Sequence, residues 1–194
     1  MKNTGKTGNK RARLIDTTKA LLWEIGYESM SPKKILQQSG AGQGSLYHHF
    51  SGKMALASTA LDEMEAEMRT RFDQVFATHS SPLKRLQAYL TLDRAGLKGC
   101  RLGRLANETS IADAALRAPL ERYFSHVQTV ITQTLHEAIQ QGEIDKTISP
   151  ANIAAALVAV VQGGYTLCRI NQDPAHIKRA THGALTMLNA LNQR

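Results

Sequence analysis

Lys33-Lys34-Ile35-Leu36-Gln37-Gln38-Ser39-Gly40-Ala41-Gly42-Gln43-Gly44-Ser45-Leu46-Tyr47-His48-His49-Phe50 reads as two short helices separated by a glycine-bearing turn. In the first, Ile35 and Leu36 supply the apolar content, and Gly40-Ala41-Gly42 breaks the pattern. The second has little to bury beyond Leu46, Tyr47 and Phe50. Leu46 and Phe50 are four apart and fall on one helical face. Gln43, Ser45, Tyr47, His48 and His49 are left to point elsewhere. A short helix held by two side chains and displaying hydrogen-bonding groups is the form expected of a DNA-recognition helix. Tyr47 keeps two readings, a core residue with its hydroxyl at the rim or a displayed phenol.

Charge along the chain supports a polyanionic partner. The net charge is +8, and its distribution matters more than its size. Residues 1–53 hold nine Lys/Arg against three Asp/Glu, whereas residues 54–194 hold fifteen against thirteen. The basic character therefore belongs to the N-terminal quarter. Cys100 and Cys168 are too few and too far apart for a disulfide framework or a metal site. No apolar signal core follows the basic N-terminus, and the most apolar run, 153–168, is short for a membrane span. A cytoplasmic protein with no membrane partner is expected.

Helical periodicity is nearly continuous, and strand signals are nearly absent. Ser31-Pro32, Ser81-Pro82, Ser149-Pro150 and Asp173-Pro174 each place a capping side chain before a proline, the pattern of a helix start. Pro119 is expected in the first turn of another helix. Residues 1–9 read as a disordered basic arm. Nine helices follow: 10–25, 32–40, 43–50, a long one from 53 to about 75, 82–97, a short one at 104–111, 116–140, 150–170 and 174–191. The expected fold is all-α, with a three-helix helix-turn-helix domain at 10–53 and a helical effector-binding and dimerisation bundle at 54–194.

The last two helices, 150–170 and 174–191, are more apolar than surface helices need to be. They are expected to form a self-complementary homodimer interface, the alternative being burial within one subunit.

Lys33 and Lys34 lie in the first turn of the second helix, where the helix N-terminus and positive charge both favour phosphate. Gln43 can bond adenine in pairs, Ser45 can serve either base type, and Tyr47, His48 and His49 can reach phosphate or bases. Lys53, opening the fourth helix, is placed to grip the same strand. His48 and His49 do not suggest a metal pair, because helical neighbours point about 100 degrees apart. No metal or cofactor is expected.

Ile35-Leu36-(x)3-Ser39-Gly40-Ala41-Gly42-Gln43-Gly44-Ser45-Leu46-Tyr47-His48-His49-Phe50-(x)2-Lys53 resembles the signature of the TetR/AcrR family of bacterial transcriptional regulators. The resemblance covers roughly residues 10–60. It implies that Lys33, Gln43, Ser45, Tyr47, His48, His49 and Lys53 contact operator DNA. Two positions depart from the pattern: Pro32 stands where a hydroxyl residue is common, and Ala41 where valine is common. Farther along, Gly99-Cys100-Arg101-Leu102-Gly103-(x)3-Asn107-Glu108 resembles a stretch found in a subgroup whose members respond to electrophiles or small hydrophobic compounds.

Lys98, Arg101 and Arg104 flank Cys100 in sequence, and cationic neighbours stabilise a thiolate. Cys100 is thus either a sensor or a small packing residue. Met64, Met68, Phe72, Leu86, Leu90, Phe124, Val127 and Ile131 read as core or as pocket lining. Phe124, Gln128 and Tyr165 are the effector-contact candidates alongside Cys100, with His126 a further polar group. Asp62, Glu63, Glu65 and Glu67 read as a solvated face. No phosphate loop, metal-spaced cluster or nucleophile–base pair appears, so an enzyme is not expected. The sequence points to a homodimeric, ligand-responsive repressor of a palindromic operator. A ligand-independent, nucleoid-type DNA-binding protein is the alternative.

Overall fold

The computed structural model describes residues 4–191, with side chains from Lys10 to Leu191. Among these residues the chain is all-α. The helices are α1 Thr4–Ile25, α2 Pro32–Ser39, α3 Gln43–His49, α4 Lys53–Phe76, α5 Pro82–Thr91, α6 Ala114–Gln140, α7 Pro150–Asn171 and α8 Ala175–Ala190. Two 3-10 turns, Gly103–Asn107 and Thr109–Ala112, precede α6.

Packing divides the chain into two compact units. One runs up to Ala66 and includes Arg101–Arg122; the other comprises Glu67–Cys100 and the chain from Tyr123 onward. This grouping cuts across the sequence division at 53/54, and α4 and α6 each contribute residues to both units. In the first unit, Leu14, Thr18, Leu21 and Leu22 of α1 are buried with Ile35, Leu46, Leu56 and Leu61. In the second, Phe72, Leu86, Leu90, Val127, Ile131 and Leu135 join Leu157, Val161, Ile177 and Leu188 in one core. Phe72 stacks near Phe76 and Tyr89, with centroids 4.6 and 5.6 Å away. The methionines and phenylalanines at helical spacing are therefore mostly core: Met64 is fully buried in the first unit and Phe72 nearly so in the second.

Several local expectations change. Helix α1 extends back to Thr4, so residues 4–9 are helical rather than an unstructured arm; residues 1–3 lie outside the described residues. No proline interrupts this run, and each residue added to an existing helix gains a backbone bond without a new nucleus. Helix α5 stops at Thr91 instead of continuing to about Leu97. Arg94 folds back on its last turn, donating to the carbonyls of Tyr89, Leu90 and Leu92. A cation at a helix C-terminus satisfies carbonyls that have no intrahelical partner.

The short helix expected at 104–111 is the pair of 3-10 turns. Asn107, Thr109 and Ser110 are residue types whose side chains favour turns over helix interiors. Pro119 lies inside α6, not in its first turn, because the helix already begins at Ala114. Glu65 is buried rather than solvated, while Asp62 pairs with Arg122 and Glu63 with Lys19.

The Ser-Pro and Asp-Pro starts are real but unequal. Ser31 accepts from the Lys34 N–H and Ser81 from the Lys84 N–H, each at 3.2 Å. Asp173 accepts from Ala175 at 2.8 Å. Ser149 precedes α7 without making a side-chain cap bond.

At 22 residues, α7 is long and apolar enough to cross a membrane by length and composition. The shorter run counted in the sequence was not. Its buried residues, including Leu157, Val161 and Cys168, pack into the core of the second unit. Its other face, with Ala155, Ala159, Gly163 and Ile170, is exposed. Gly164 lets α8 approach: a Cβ there would lie 2.5 Å from Ile177. Gly163 faces open space.

Candidate DNA-binding interface and effector region

The turn between α2 and α3 is built from local chemistry. Gly40 caps α2 at φ 60°, a left-handed conformation in which a side chain is strained. Ser39 is buried, donates to the Leu36 carbonyl and accepts from the Ala41 N–H at 3.2 Å. Helix α3 then starts at Gln43 and is anchored by Leu46, with Phe50 buried just beyond its end. Gln43, Gly44, Tyr47 and His48 are exposed, and Ser45 is half-buried. Tyr47 is 55% exposed, which decides its two readings in favour of display.

The remaining sequence-predicted residues differ in placement. Lys33 is exposed on the first turn of α2. His49 is half-buried, 4.8 Å from the His48 ring centre, and its Nε2 is buried with no hydrogen-bond partner. It therefore offers less to an outward surface than Tyr47 or His48. Lys53 is half-buried at the start of α4, its ammonium 3.9 Å from the centre of the Tyr27 ring. That is cation–π range. Burial pushes the Lys53 pKa down, while Glu108 and Glu28 push it back up. Tyr27, in the turn after α1, carried no sequence signal as part of this surface.

In the second unit, Cys100 is buried. Its electrostatic neighbours are Tyr89, Tyr123 and Tyr165, with Arg94 acting on the same three phenols. Desolvation is the largest cause of a raised pKa in each, and the Tyr165 hydroxyl is pushed up to about 12. The phenols therefore stay protonated at neutral pH and can act as hydrogen-bond donors. Tyr165 thus acts on Cys100 electrostatically, together with Tyr89, Tyr123 and Arg94, which the sequence did not single out. Their positions in sequence give no sign that they converge.

Phe124 is half-buried and meets Tyr123 edge-on at 5.3 Å; Gln128 is exposed on α6. His126 is engaged with Asp73, 2.6 Å from its carboxylate. Arg101, adjacent to Cys100, lies over the Trp23 ring at 5.8 Å. Cys168 is held by the α8 start, its sulfur accepting from the Ile177 N–H at 3.2 Å.

A supporting helix, a glycine turn and a second helix anchored by Leu46 while displaying its polar side chains define a helix-turn-helix transcriptional regulator. Residues 14–60 match the family described as bacterial regulatory proteins, tetR family, and residues 81–184 match the tetracyclin repressor-like C-terminal domain. The chain belongs to the TetR family of transcriptional regulators.

It is similar to an uncharacterised HTH-type regulator from the lacX 3′ region of Lactococcus lactis, 29% identical over 85% of this chain and 86% of the relative. It is also similar to the HTH-type transcriptional repressor DhaR of a Mycobacterium species, 25% identical over 84% and 85%. Among solved structures, it is similar in fold to a TetR regulator from Chloroflexus aurantiacus, with a TM-score of 0.88 at 23% identity, covering 96% and 98% of the two chains.

Proposed function

We propose that this regulator is a repressor that binds a palindromic operator as a homodimer and is released by a small hydrophobic or electrophilic effector. The observation that carries the DNA reading is α3, whose Gln43, Tyr47 and His48 are exposed while Leu46 alone within the helix is buried. Gln43 and Ser45 read base edges; Lys33, Tyr47, His48, His49 and Lys53 hold phosphate or flanking bases. The repressor role is supported by likeness to DhaR, which is named as one.

Homodimerisation through α7 and α8 is supported by their outward faces. Ile170 and Met187 are 72% and 73% exposed, beside exposed Ala155, Ala159, Gly163 and Gly183. Effector responsiveness is assigned to residues 54–194, with Cys100 and Tyr165 at its centre and Phe124 and Gln128 as outer contacts. The effector either binds beside Cys100 or modifies its thiol. It favours the conformation in which the two heads no longer match successive major grooves, so operator affinity falls. The protein works in the cytoplasm, where its operator is.

Selection of bound duplexes from a random library tests this reading. A palindrome with half-sites one helical turn or a multiple apart is expected. Affinity for that site equal to affinity for a scrambled duplex at the same salt would establish the nucleoid-type alternative instead.

A further inference from the structure

Gly26 ends α1 at φ 81°, and the chain then turns through Tyr27 and Glu28. The turn's free amides are taken by a residue from the 3-10 segment that follows Cys100 in sequence. Glu108 Oε2 accepts from the Tyr27 N–H at 3.0 Å and from the Glu28 N–H at 3.1 Å. Ser110 closes the contact from the other side. Its N–H donates to Glu28 Oε1 at 2.8 Å, and its hydroxyl to Glu108 Oε2 at 3.2 Å.

Only glycine fits beneath this clamp. A Cβ on Gly26 would lie 1.6 Å from Glu108 Oε1. Gly26 therefore serves both the left-handed turn and the approach of the carboxylate. The Tyr27 ring fixed by this turn carries the Lys53 ammonium on its face, and Glu108 and Glu28 both act on the charge of Lys53. The four groups form one local cluster within the first unit.

We propose that Glu108 is a positioning residue for operator binding, fixing the Tyr27 turn so that the Tyr27 ring holds Lys53 at its phosphate contact. The inference rests on the proposed role of Lys53 in DNA binding. It adds that the grip on DNA is set from outside the helix-turn-helix, by the Arg101–Arg122 segment of the same unit. Charge-assisted bonds to two backbone amides are directional, so a shift of Glu108 releases Tyr27 and Lys53 together. The electrostatic effect of Glu108 on Lys53 is distinct from this anchoring. Glutamine at 108 removes the charge but keeps an acceptor oxygen, whereas alanine removes both.

The experiment measures affinity of the full chain for its selected operator across a salt series, with thermal melting as the check on folding. The variants are Glu108→Ala, Glu108→Gln, Lys53→Ala and the double variant Glu108→Ala/Lys53→Ala. Lys53→Ala is expected to lower the salt slope by about one and to weaken all sequences alike. Glu108→Ala is expected to reproduce that slope change with a loss on the order of tenfold in affinity, and the double variant to be no weaker than Lys53→Ala alone.

Glu108→Gln should bind at least as tightly as the unsubstituted chain and melt with it, which separates positioning from misfolding. Additive losses in the double variant, an unaltered slope in Lys53→Ala or Glu108→Ala, or a glutamine variant as weak as alanine would each overturn the proposal. Failure of the unsubstituted chain to distinguish its operator from scrambled duplex would instead overturn the function on which it rests.

Discussion

Lys19, Glu63, Asp62, Arg122 and Glu108 cross-link the first unit, whereas Phe72, Tyr89, Leu135, Val161 and Leu188 fill the second with apolar contacts. Lys19 Nζ lies 2.6 Å from Glu63, tying α1 to α4, and Arg122 ties α6 to Asp62 of α4. Glu108 binds the turn after α1. In the second unit the buried set forms one cluster from Phe72 to Leu188, and polar pairs such as Arg85–Glu137 and His126–Asp73 lie partly exposed around it.

The difference has a physical consequence. Polar ties are directional, partly solvent-exposed and individually weak, so each can be exchanged for water at small cost. Apolar packing is non-directional and fails only when volume is lost. The first unit thus surrounds an apolar core of its own, with Leu14, Leu22, Ile35, Leu46 and Leu61, by ties that can be released one at a time.

Breaking one contact of each kind tests the contrast most severely. Ile131 is fully buried in the second unit, and Ile131→Ala is expected to cost about 2–5 kcal/mol of unfolding free energy. Arg122→Met keeps the apolar stem and removes the ion pair with Asp62, in which both side chains are about half exposed; it should cost about 1 kcal/mol or less. Denaturant titration of both variants gives the comparison, and equal losses would remove the distinction between the units.

The next largest effects belong to the recognition helix. Gln43→Ala is expected to cost about 1–3 kcal/mol at one base position and to relax preference there. Tyr47→Ala should weaken binding roughly uniformly across sequences, as loss of a phosphate contact does. Operator libraries scored with each variant distinguish the two. Identical profiles would mean that Gln43 reads no base.

Cys100→Ser carries the contrast into regulation. The thiol is buried and acts on Tyr89, Tyr123 and Tyr165 of the second unit, whereas the α3 residues belong to the first. Operator affinity is therefore expected to stay unchanged while release by a soft electrophile is lost. Gel-shift titration with and without the electrophile measures both. Release that persists in the serine variant would make Cys100 a packing residue.

The two units were not equally legible in the sequence. The α2–α3 motif depends on short-range chemistry: a glycine able to adopt φ 60°, a serine that bonds its own turn, and two apolar residues four apart. Each is written within a few residues, so the helix bounds and the displayed face followed directly. Residues 92–113 depend on side chains that periodicity does not read, some of them with distant partners. Arg94 ends α5 by reaching back to three carbonyls, and Glu108 stabilises its turn through amides some eighty positions earlier. Hydrophobic periodicity has no access to such side-chain bonds, so it extends a regular helix over 104–111 and leaves Glu65 in solvent. The tyrosines around Cys100 were hidden for the same reason. They come from α5, α6 and α7, and nothing along the chain marks them as neighbours.

The smallest expected effect concerns a motif that the sequence repeats and the structure does not. Ser31, Ser81 and Ser149 all precede proline, yet only the first two bond a backbone N–H two residues beyond that proline. Ser31→Ala and Ser81→Ala should therefore each cost about 1 kcal/mol, the usual price of a lost cap. Ser149→Ala should fall within about 0.5 kcal/mol of the unsubstituted chain, since α7 is held by packing and its proline already fits the first turn. Chemical denaturation of the three variants would rank them. A loss at Ser149 matching that at Ser31 would mean that the cap forms in solution and that the Ser-Pro pattern alone fixes the start of every such helix.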